Sequence, residues 1–199
     1  MTLRSDPEAI LATFELKQIV VLRLALSSDL PKLEWFGQYT HYRRLFQTTY
    51  EDQQQRRRLM LLAVVNDFPI GQVFIHLGDA LCRPQQSSYG RGYLYALRVL
   101  EPFRGQGIGT RLIQCAEEQI LASGLRWAVI AAAKDNPGAR RLYERLGYVV
   151  YGEDAGHWDY TDNEGRVQHV HEPAWLLQKR LRVRAAGVKA GNSEGADGC

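Results

Sequence analysis

The sequence predicts a single mixed α/β domain, because strand-like apolar runs alternate along the chain with helix-like amphipathic segments. Residues 125–133 are apolar apart from Arg126, which is typical of a strand covered on both faces. Residues 108–123 place apolar side chains along one helical stripe, and Ser123-Gly124 is a helix stop signal. Residues 18–26 are rich in β-branched and apolar side chains, which favours a first strand.

The remaining elements follow from periodicity and from turn residues. Ser27-Ser28-Asp29 followed by Pro31 indicates a helix start, and a second helical region spans residues 39–55. A hairpin across Asn66-Asp67-Phe68-Pro69 joins strands at 58–65 and 70–77. Further strands are predicted at 93–100, 148–152 and 174–182, a helix at 137–146, and a long loop at 78–92. The predicted order is therefore β-αα-β-β-β-α-β-α-β-β.

Length and composition are those of one soluble globular domain. The chain has 199 residues, of which 45% are hydrophobic and 24% charged, which suits one well-cored unit. We expect an N-terminal arm at 1–17, the domain at 18–183 and a disordered tail at 184–199, which is Gly-rich and polar. No apolar run approaches the roughly 20 residues of a membrane helix.

Cysteine usage and charge indicate the expected cellular location and the expected classes of partner. Cys82, Cys115 and Cys199 are scattered thiols without a CxxC pair, and the N-terminus lacks a secretion pattern, so a cytoplasmic location is expected. The formal net charge is only +3. The basic clusters at 56–58 and 179–184 are too local for the broad basic stripe that nucleic-acid binding needs. We therefore expect neither a nucleic-acid nor a membrane partner.

The most informative motif is the turn Arg104-Gly105-Gln106-Gly107-Ile108-Gly109, which lies between a predicted strand and a predicted helix. Unpaired N–H groups and the positive dipole end of a helix N-terminus bind phosphate, and glycines allow close backbone approach. The turn lacks the Lys-Ser/Thr ending of a P-loop, and Leu112 stands where a dinucleotide fingerprint needs its third glycine. The turn thus predicts a phosphate-bearing cofactor of another kind.

A second motif follows, and the two together closely resemble the GCN5-related N-acetyltransferase (GNAT) superfamily. The resemblance covers residues 97–148 and is sharp over 93–152. Its matching residues are Val99, Pro102, Arg104-x-x-Gly107-x-Gly109, Asn136, Ala139, Tyr143 and the Leu-Gly-Tyr ending at Tyr148. It implies a GNAT-type acyl-CoA N-acyltransferase fold, with a mixed central sheet of about six to seven strands and about four flanking helices.

The resemblance also implies acetyl-CoA as the cofactor, with coenzyme A as the product. The implied cofactor-binding residues are Leu97, Val99, Arg104, Gly105, Gln106, Gly107, Ile108, Gly109, Thr110, Asn136, Ala139, Arg140 and Tyr143. Structural alternatives remain open for three of them. Asn136 before Pro137 is a good helix N-cap, Arg140 suits a solvated helix face, and Tyr143 suits a core position.

The resemblance implies two catalytic groups: a backbone N–H near Val99 as oxyanion donor, and the Tyr143 phenol as proton donor to the departing thiolate. The general base stays unassigned, because residues 92–97 contain no carboxylate. Water or an acid from another segment, such as Asp159, is an alternative. Glu101 lies beside the cofactor turn.

The acceptor is expected to be a small-molecule amine or a protein or peptide amine, taken up by a monomer or homodimer. Candidate substrate-binding residues are Trp35, Tyr39, Tyr93, Tyr95 and Trp158. The histidines at 157, 169 and 171 are expected to be ordinary loop and hairpin residues, with no metal site. A non-catalytic acyl-CoA-binding sensor or scaffold is the alternative function.

Overall fold

The computed structural model describes residues 12–77 and 90–182. Residues 12–20 are exposed and have no regular secondary structure, and the first strand begins at Val21. The rest of the predicted arm, most of the predicted 78–92 loop, and the predicted tail lie outside the described residues. The predicted domain boundaries therefore stay predictions.

A mixed sheet of seven strands forms the centre of the described chain, which confirms the predicted α/β class. Its strands are β1 (Val21–Leu24), β2 (Arg58–Val65), β3 (Phe68–His76), β4 (Arg91–Val99), β5 (Trp127–Ala133), β6 (Val149–Asp154) and β9 (Ala174–Arg180). Strands β7 (His157–Thr161) and β8 (Val167–His171) pair separately. The order in the large sheet is β1-β2-β3-β4-β5-β9-β6, and only the β4–β5 pair is parallel.

Within the described residues, four helical regions flank this sheet, as predicted. They are a 3-10 helix (Ser27–Glu34), a 3-10 turn (Thr40–Tyr42) that leads into α1 (Arg43–Gln54), then α2 (Ile108–Ala122) and α3 (Pro137–Arg145). A single 3-10 turn (Glu101–Phe103) also precedes α2. None of the helices in the described ranges is both long and apolar enough to cross a membrane.

Strand β2 explains why the sheet is covered on both faces. Its side chains are apolar at both alternating sets of positions, so each face of the strand is hydrophobic. Leu61, Ala63 and Val65 pack into a core with α2 and α3. Met60 and Leu62 pack into a second core with Phe46 of α1. The two cores hold the helices against opposite faces of the sheet.

Two local differences from the sequence expectations have clear causes. Strand β3 begins at Phe68 rather than residue 70, because Asn66 and Asp67 make the turn with φ of 46° and 60°, the left-handed pair that tight hairpins need. Residues 157–171 form the β7–β8 hairpin, to which the sequence analysis assigned no strand. Asp162 closes this hairpin by accepting N–H bonds from Arg166 and Glu164, and these bonds lower the pKa of Asp162 to about 2.

Substitution of Gly156 by Ala should destabilise the fold. Gly156 lies before β7 with φ of +76°, and an added Cβ would stand 1.9 Å from the Glu172 carbonyl oxygen. The left-handed conformation alone costs a non-glycine residue about 1–2 kcal/mol, and the clash adds to that loss. Urea unfolding measures the change in free energy.

Gly124→Ala is the matched control, because Gly124 has φ of +82° but open space around its Cβ position. Equal losses of unfolding free energy in the two variants would contradict the packing of Gly156 against the 172–173 backbone.

Candidate active site

The centre of the candidate site is a gap between β4 and β5. The two strands pair only from Arg91↔Trp127 to Leu94↔Ile130. Strand β5 continues to pair with β9 as far as Ala133, so β5 itself stays in the sheet. The distal half of β4 therefore has no ladder partner in β5, and the two strands diverge.

A bulge in β4 accompanies this divergence. Ala96 has φ of 52°, and the pairing with β3 shifts between Gln72 and Phe74. Tyr95 and Ala96 both pack toward the core that contains α1. Leu97 and Val99 pack toward the core that contains α2. Because of the extra residue, each side chain in the second half of β4 points to the face of the sheet opposite to the one that strict alternation would give.

The glycine turn after β4 has the geometry of an anion cradle. Gly105 and Gly107 have φ of 76° and 80°, and nothing lies within 4 Å of a Cβ built at either position. Gly107 is the N-cap of α2. The first N–H groups of that helix, including those of Ile108 and Gly109, therefore have no carbonyl acceptor within the helix. Exposed backbone donors and open space above the glycines fit a phosphate group.

Two side chains of this turn donate hydrogen bonds to backbone carbonyl groups. Arg104 donates from Nε to the Val99 carbonyl at 3.0 Å, which ties the turn to the end of β4. Gln106 donates to the Pro102 carbonyl at 3.2 Å. Thr110 is half-buried in the first turn of α2. The backbone of the turn is therefore held in place without a ligand.

The start of α3 is built as the sequence predicts. Asn136 Oδ1 accepts from the Ala139 N–H at 3.0 Å, which confirms the N-cap, and Pro137 is the first helical residue. Arg140 is paired with Glu144 at 2.8 Å and stacks over Trp175 at 4.9 Å. The structure thus gives Asn136 and Arg140 structural partners, and their contacts with a cofactor stay predictions.

A single cavity of about 600 Å³ crosses the sheet through the gap. On one side it is lined by four residues of the predicted cofactor site together with the end of β5, and on the other by aromatic and charged side chains. The first group comprises Leu97, Ala131, Ala132, Ala133, Asn136, Ala139 and Tyr143; the second includes Tyr42, Arg58, His76, Tyr93, Tyr95, Arg98, Trp158, Asp159 and Glu172. Two ligands that enter from opposite sides would meet inside the gap.

Tyr143 is buried but reaches this cavity. Its side chain is 5% exposed and packs with the main core, as the structural alternative expected. It also lines the cavity on the side of Asn136. Burial raises the pKa of Tyr143 to about 12. Its phenol is therefore fully protonated near neutral pH.

Val99 ends β4 half-buried, and its carbonyl accepts from Arg104. Its side chain does not line the cavity, whereas its neighbours Leu97 and Arg98 do. The predicted oxyanion role concerns the backbone of Val99 and stays a prediction.

Three of the five predicted substrate-binding residues line the cavity, and two do not. Tyr93 and Tyr95 line the cavity and stack with ring centroids 6.0 Å apart, and Trp158 lines the opposite wall. Trp35 is 3% exposed, donates to the Pro69 carbonyl and does not line the cavity. Tyr39 lies beside the cavity and stacks on Tyr42.

Acids near the cavity come from the β6–β9 segment. Asp154, Asp159 and Glu172 all contribute to its wall, whereas Glu101 does not. Asp159 is bonded to His169 Nδ1 at 2.6 Å across the β7–β8 pair. Strand β4 itself carries no carboxylate, and the carboxylates of the cavity wall come from the segment that runs from β6 to β9.

The histidines of this hairpin are exposed, and the rings of His157 and His171 stack 4.3 Å apart. Within the described ranges, no three His, Cys, Asp or Glu side chains are grouped so that they could hold a metal ion. Cys115 is half-buried in α2, where burial raises the pKa of its thiol, and it does not line the cavity.

The sequence analysis missed several cavity residues. Arg58, His76 and Arg98 were not considered as site residues, although all three line the cavity. They come from β2, β3 and β4, and no local motif connects these elements. The alternation of β4 would also have placed Arg98 on the wrong face.

Comparisons with known proteins agree with the fold. The chain is 34% identical over 94 residues to N-alpha-acetyltransferase 30 of Schizosaccharomyces pombe, covering 45% of this chain and 57% of that protein. It is 39% identical over 59 residues to N-alpha-acetyltransferase MAK3 of Arabidopsis thaliana, covering 30% and 31%. The matches thus span about half or less of these relatives.

A solved structure, Arabidopsis thaliana NAA60 in complex with acetyl-CoA, has the same fold. Its TM-score is 0.60 at 21% identity, and the match covers 82% of this chain and 99% of that one. The model of the Acetyltransferase (GNAT) family matches residues 27–148, which contain β2 to β5, the glycine turn and α3. The protein with this split sheet and glycine turn belongs to the GNAT acetyltransferase family.

Proposed function

We propose that the protein is an N-acetyltransferase that moves the acetyl group of acetyl-CoA directly to an amine within a ternary complex. The observation that carries this proposal is the single cavity that joins Asn136 and Tyr143 to Tyr93 and Trp158 through the gap in the sheet. A non-catalytic acyl-CoA sensor would need only the cofactor half of that cavity. The membership of the family and a relative crystallised with acetyl-CoA support the choice of cofactor.

The residues present fit the proposed cofactor. Open glycines and the α2 N-terminus suit the pyrophosphate, and the unpaired edge of β4 at Leu97 and Val99 suits an extended arm with amide groups. Bound acetyl-CoA would supply an activated thioester. Thr110, Asn136, Ala139 and Arg140 are proposed to complete the site.

In this mechanism, residues of the chain orient the two substrates, polarise the acetyl carbonyl and transfer protons. The Val99 N–H would donate to the acetyl oxygen as negative charge develops there. The amine nitrogen forms the new C–N bond, the C–S bond breaks, and the thiolate leaves with its electron pair. Tyr143 would give that thiolate a proton and regain one from solvent, while the amine's surplus proton leaves through the cavity.

The absence of a carboxylate on β4 favours an acceptor of modest basicity. An α-amino group has a pKa near ~7.7–8.0, so its deprotonation at pH 7 costs about 1 kcal/mol, against about 4–5 kcal/mol for a lysine side chain. Both relatives are named as N-alpha-acetyltransferases. We therefore propose an α-amine, on a polypeptide or a small molecule, as the acceptor.

Gly107→Glu should abolish acetyl-CoA binding, because it places a carboxylate in the proposed phosphate cradle. Calorimetric titration with acetyl-CoA should show at least about a tenfold weaker Kd, the effect expected when like charges meet at a binding interface. Gly124→Glu is the control, since Gly124 lies just beyond the other end of α2 with φ of +82° against +80° for Gly107. Equal affinity in the two variants would contradict the location of the cofactor site.

Tyr143→Phe should lower kcat by about 10²-fold or more, the usual scale for loss of a general acid. Acetyl-CoA affinity should stay close to that of the original protein, because only the hydroxyl is removed. Because burial raises the pKa of Tyr143 to about 12, the phenol is protonated across pH 6–9 and the loss should not vary over that range. Steady-state kinetics with a peptide amine measures it.

Tyr148→Phe serves as the control, because Tyr148 is equally buried, lies 6.3 Å from Tyr143 between ring centroids and does not line the cavity. Matching losses of kcat in both variants would indicate a packing effect. Unchanged turnover in Tyr143→Phe would remove it from the mechanism, and acetyl-CoA binding without turnover in the unmodified protein would favour the sensor.

A further inference from the structure

Arg98 is a cation held inside the acceptor half of the cavity. It follows the β4 bulge, pairs with Gln72 of β3 and lines the cavity. Its guanidinium carbon lies 4.6 Å from the ring centroid of Tyr39 and 5.0 Å from that of Tyr42. Stacking against two aromatic faces fixes the guanidinium and favours its charge.

The guanidinium of Arg98 lacks a carboxylate partner of the kind that Arg23, Arg43 and Arg58 have. Its Nη1 is buried and has no hydrogen-bond partner among the described residues, and no carboxylate there lies within 4.0 Å. Arg58, the other arginine of the cavity wall, is paired with Asp52 at 3.1 Å and donates to the Tyr95 hydroxyl. A buried donor without a partner is costly, so its position calls for a ligand.

The charge of Arg98 persists despite its burial. Burial lowers the pKa of Arg98, and the nearby Tyr42, Tyr39 and Glu172 act in the opposite direction. An arginine side chain stays protonated in proteins. The cavity wall therefore carries a positive charge that no carboxylate within 4.0 Å neutralises among the described residues.

The opposite wall of the cavity carries negative charge. Asp159 and Glu172 lie there, both exposed at the β7–β9 side, whereas Arg98 lies on the β4 side. An acceptor between the two walls would thus meet carboxylates suited to an ammonium group and a guanidinium suited to an anion. A carboxylate matches the planar guanidinium best, because it accepts two parallel N–H bonds.

We propose that the acceptor carries a carboxylate as well as its reactive amine, and that Arg98 binds this carboxylate and determines specificity. The inference rests on the proposed N-acetyltransferase function and deepens it. The shared chemistry is a carboxylate a few bonds from an α-amine, as in a free α-amino acid or a peptide with an acidic residue next to its N-terminus.

The test compares matched acceptors with acetyl-CoA as donor. One arm uses methionine against methioninamide, and the other uses a tetrapeptide amide with Asp at its second position against the same peptide with Asn. The carboxylate member of at least one pair should have a kcat/KM about tenfold higher or more, mainly through KM, as expected for a charge-assisted hydrogen bond. The arm that shows the ratio identifies the source of the carboxylate.

Arg98→Gln should remove this ratio, because the carboxylate acceptor loses its ion pair whereas the neutral acceptor has none to lose. Arg98→Lys should keep part of the ratio. Arg91→Gln is the control: Arg91 lies on the same strand against Trp127 and Tyr151, away from the cavity, and its variant should keep the full ratio.

Turnover with a ratio near one in both arms of the unmodified protein would overturn the inference and leave the proposed function intact. A ratio that survives in Arg98→Gln would do the same. Acetyl-CoA binding without coenzyme A release from any of the four acceptors would instead overturn the proposed function and the inference with it. Should Arg98→Gln not fold, the unmodified protein and Arg98→Lys decide the question.

Discussion

The divergence of β4 from β5 after Leu94 is the constraint on which the rest of the site depends. It leaves main-chain donors and acceptors of β4 without a ladder partner in β5, in the middle of a sheet covered on both faces. Backbone groups in such a place need partners from elsewhere. The same divergence opens the cavity, and the glycine turn and the α2 N-terminus follow the free half of β4 along the chain. The ligand site is therefore a consequence of how the sheet is interrupted.

The fold tolerates this gap because the rest of the sheet is stabilised by two hydrophobic cores. Strand β2 buries both of its faces, and its alternate residues support two separate cores. Strand β4 keeps its pairing with β3 and strand β5 keeps its pairing with β9, so only the two strand edges that face the gap are unpaired. The β7–β8 hairpin, closed by Asp162, covers the acceptor end and brings Trp158 and Asp159 to the cavity wall. The strands that bury both faces thus stabilise the fold, whereas the gap between β4 and β5 gives ligands access to the site.

Much of the fold could be predicted from local patterns. The hydrophobic periodicity of residues 108–123 and 125–133 predicted α2 and β5 within about two residues, the usual uncertainty of element ends. The Asn136-Pro137 pair predicted the cap of α3. Strands β7 and β8 were not predicted, because each has only five residues and none of these residues is fully buried. Such strands carry little of the burial signal on which pattern analysis depends.

The sequence by itself determined the family resemblance, the glycine turn and Tyr143, because these are local motifs whose chemistry follows from residue type and spacing. The acceptor half of the cavity was decided only by the tertiary structure. The bulge at Ala96 turns Arg98 toward Tyr39 and Tyr42, whereas strict alternation would point it to the opposite face. A one-residue shift reverses every side chain that follows it in a strand, and pairing with β3 sets that shift.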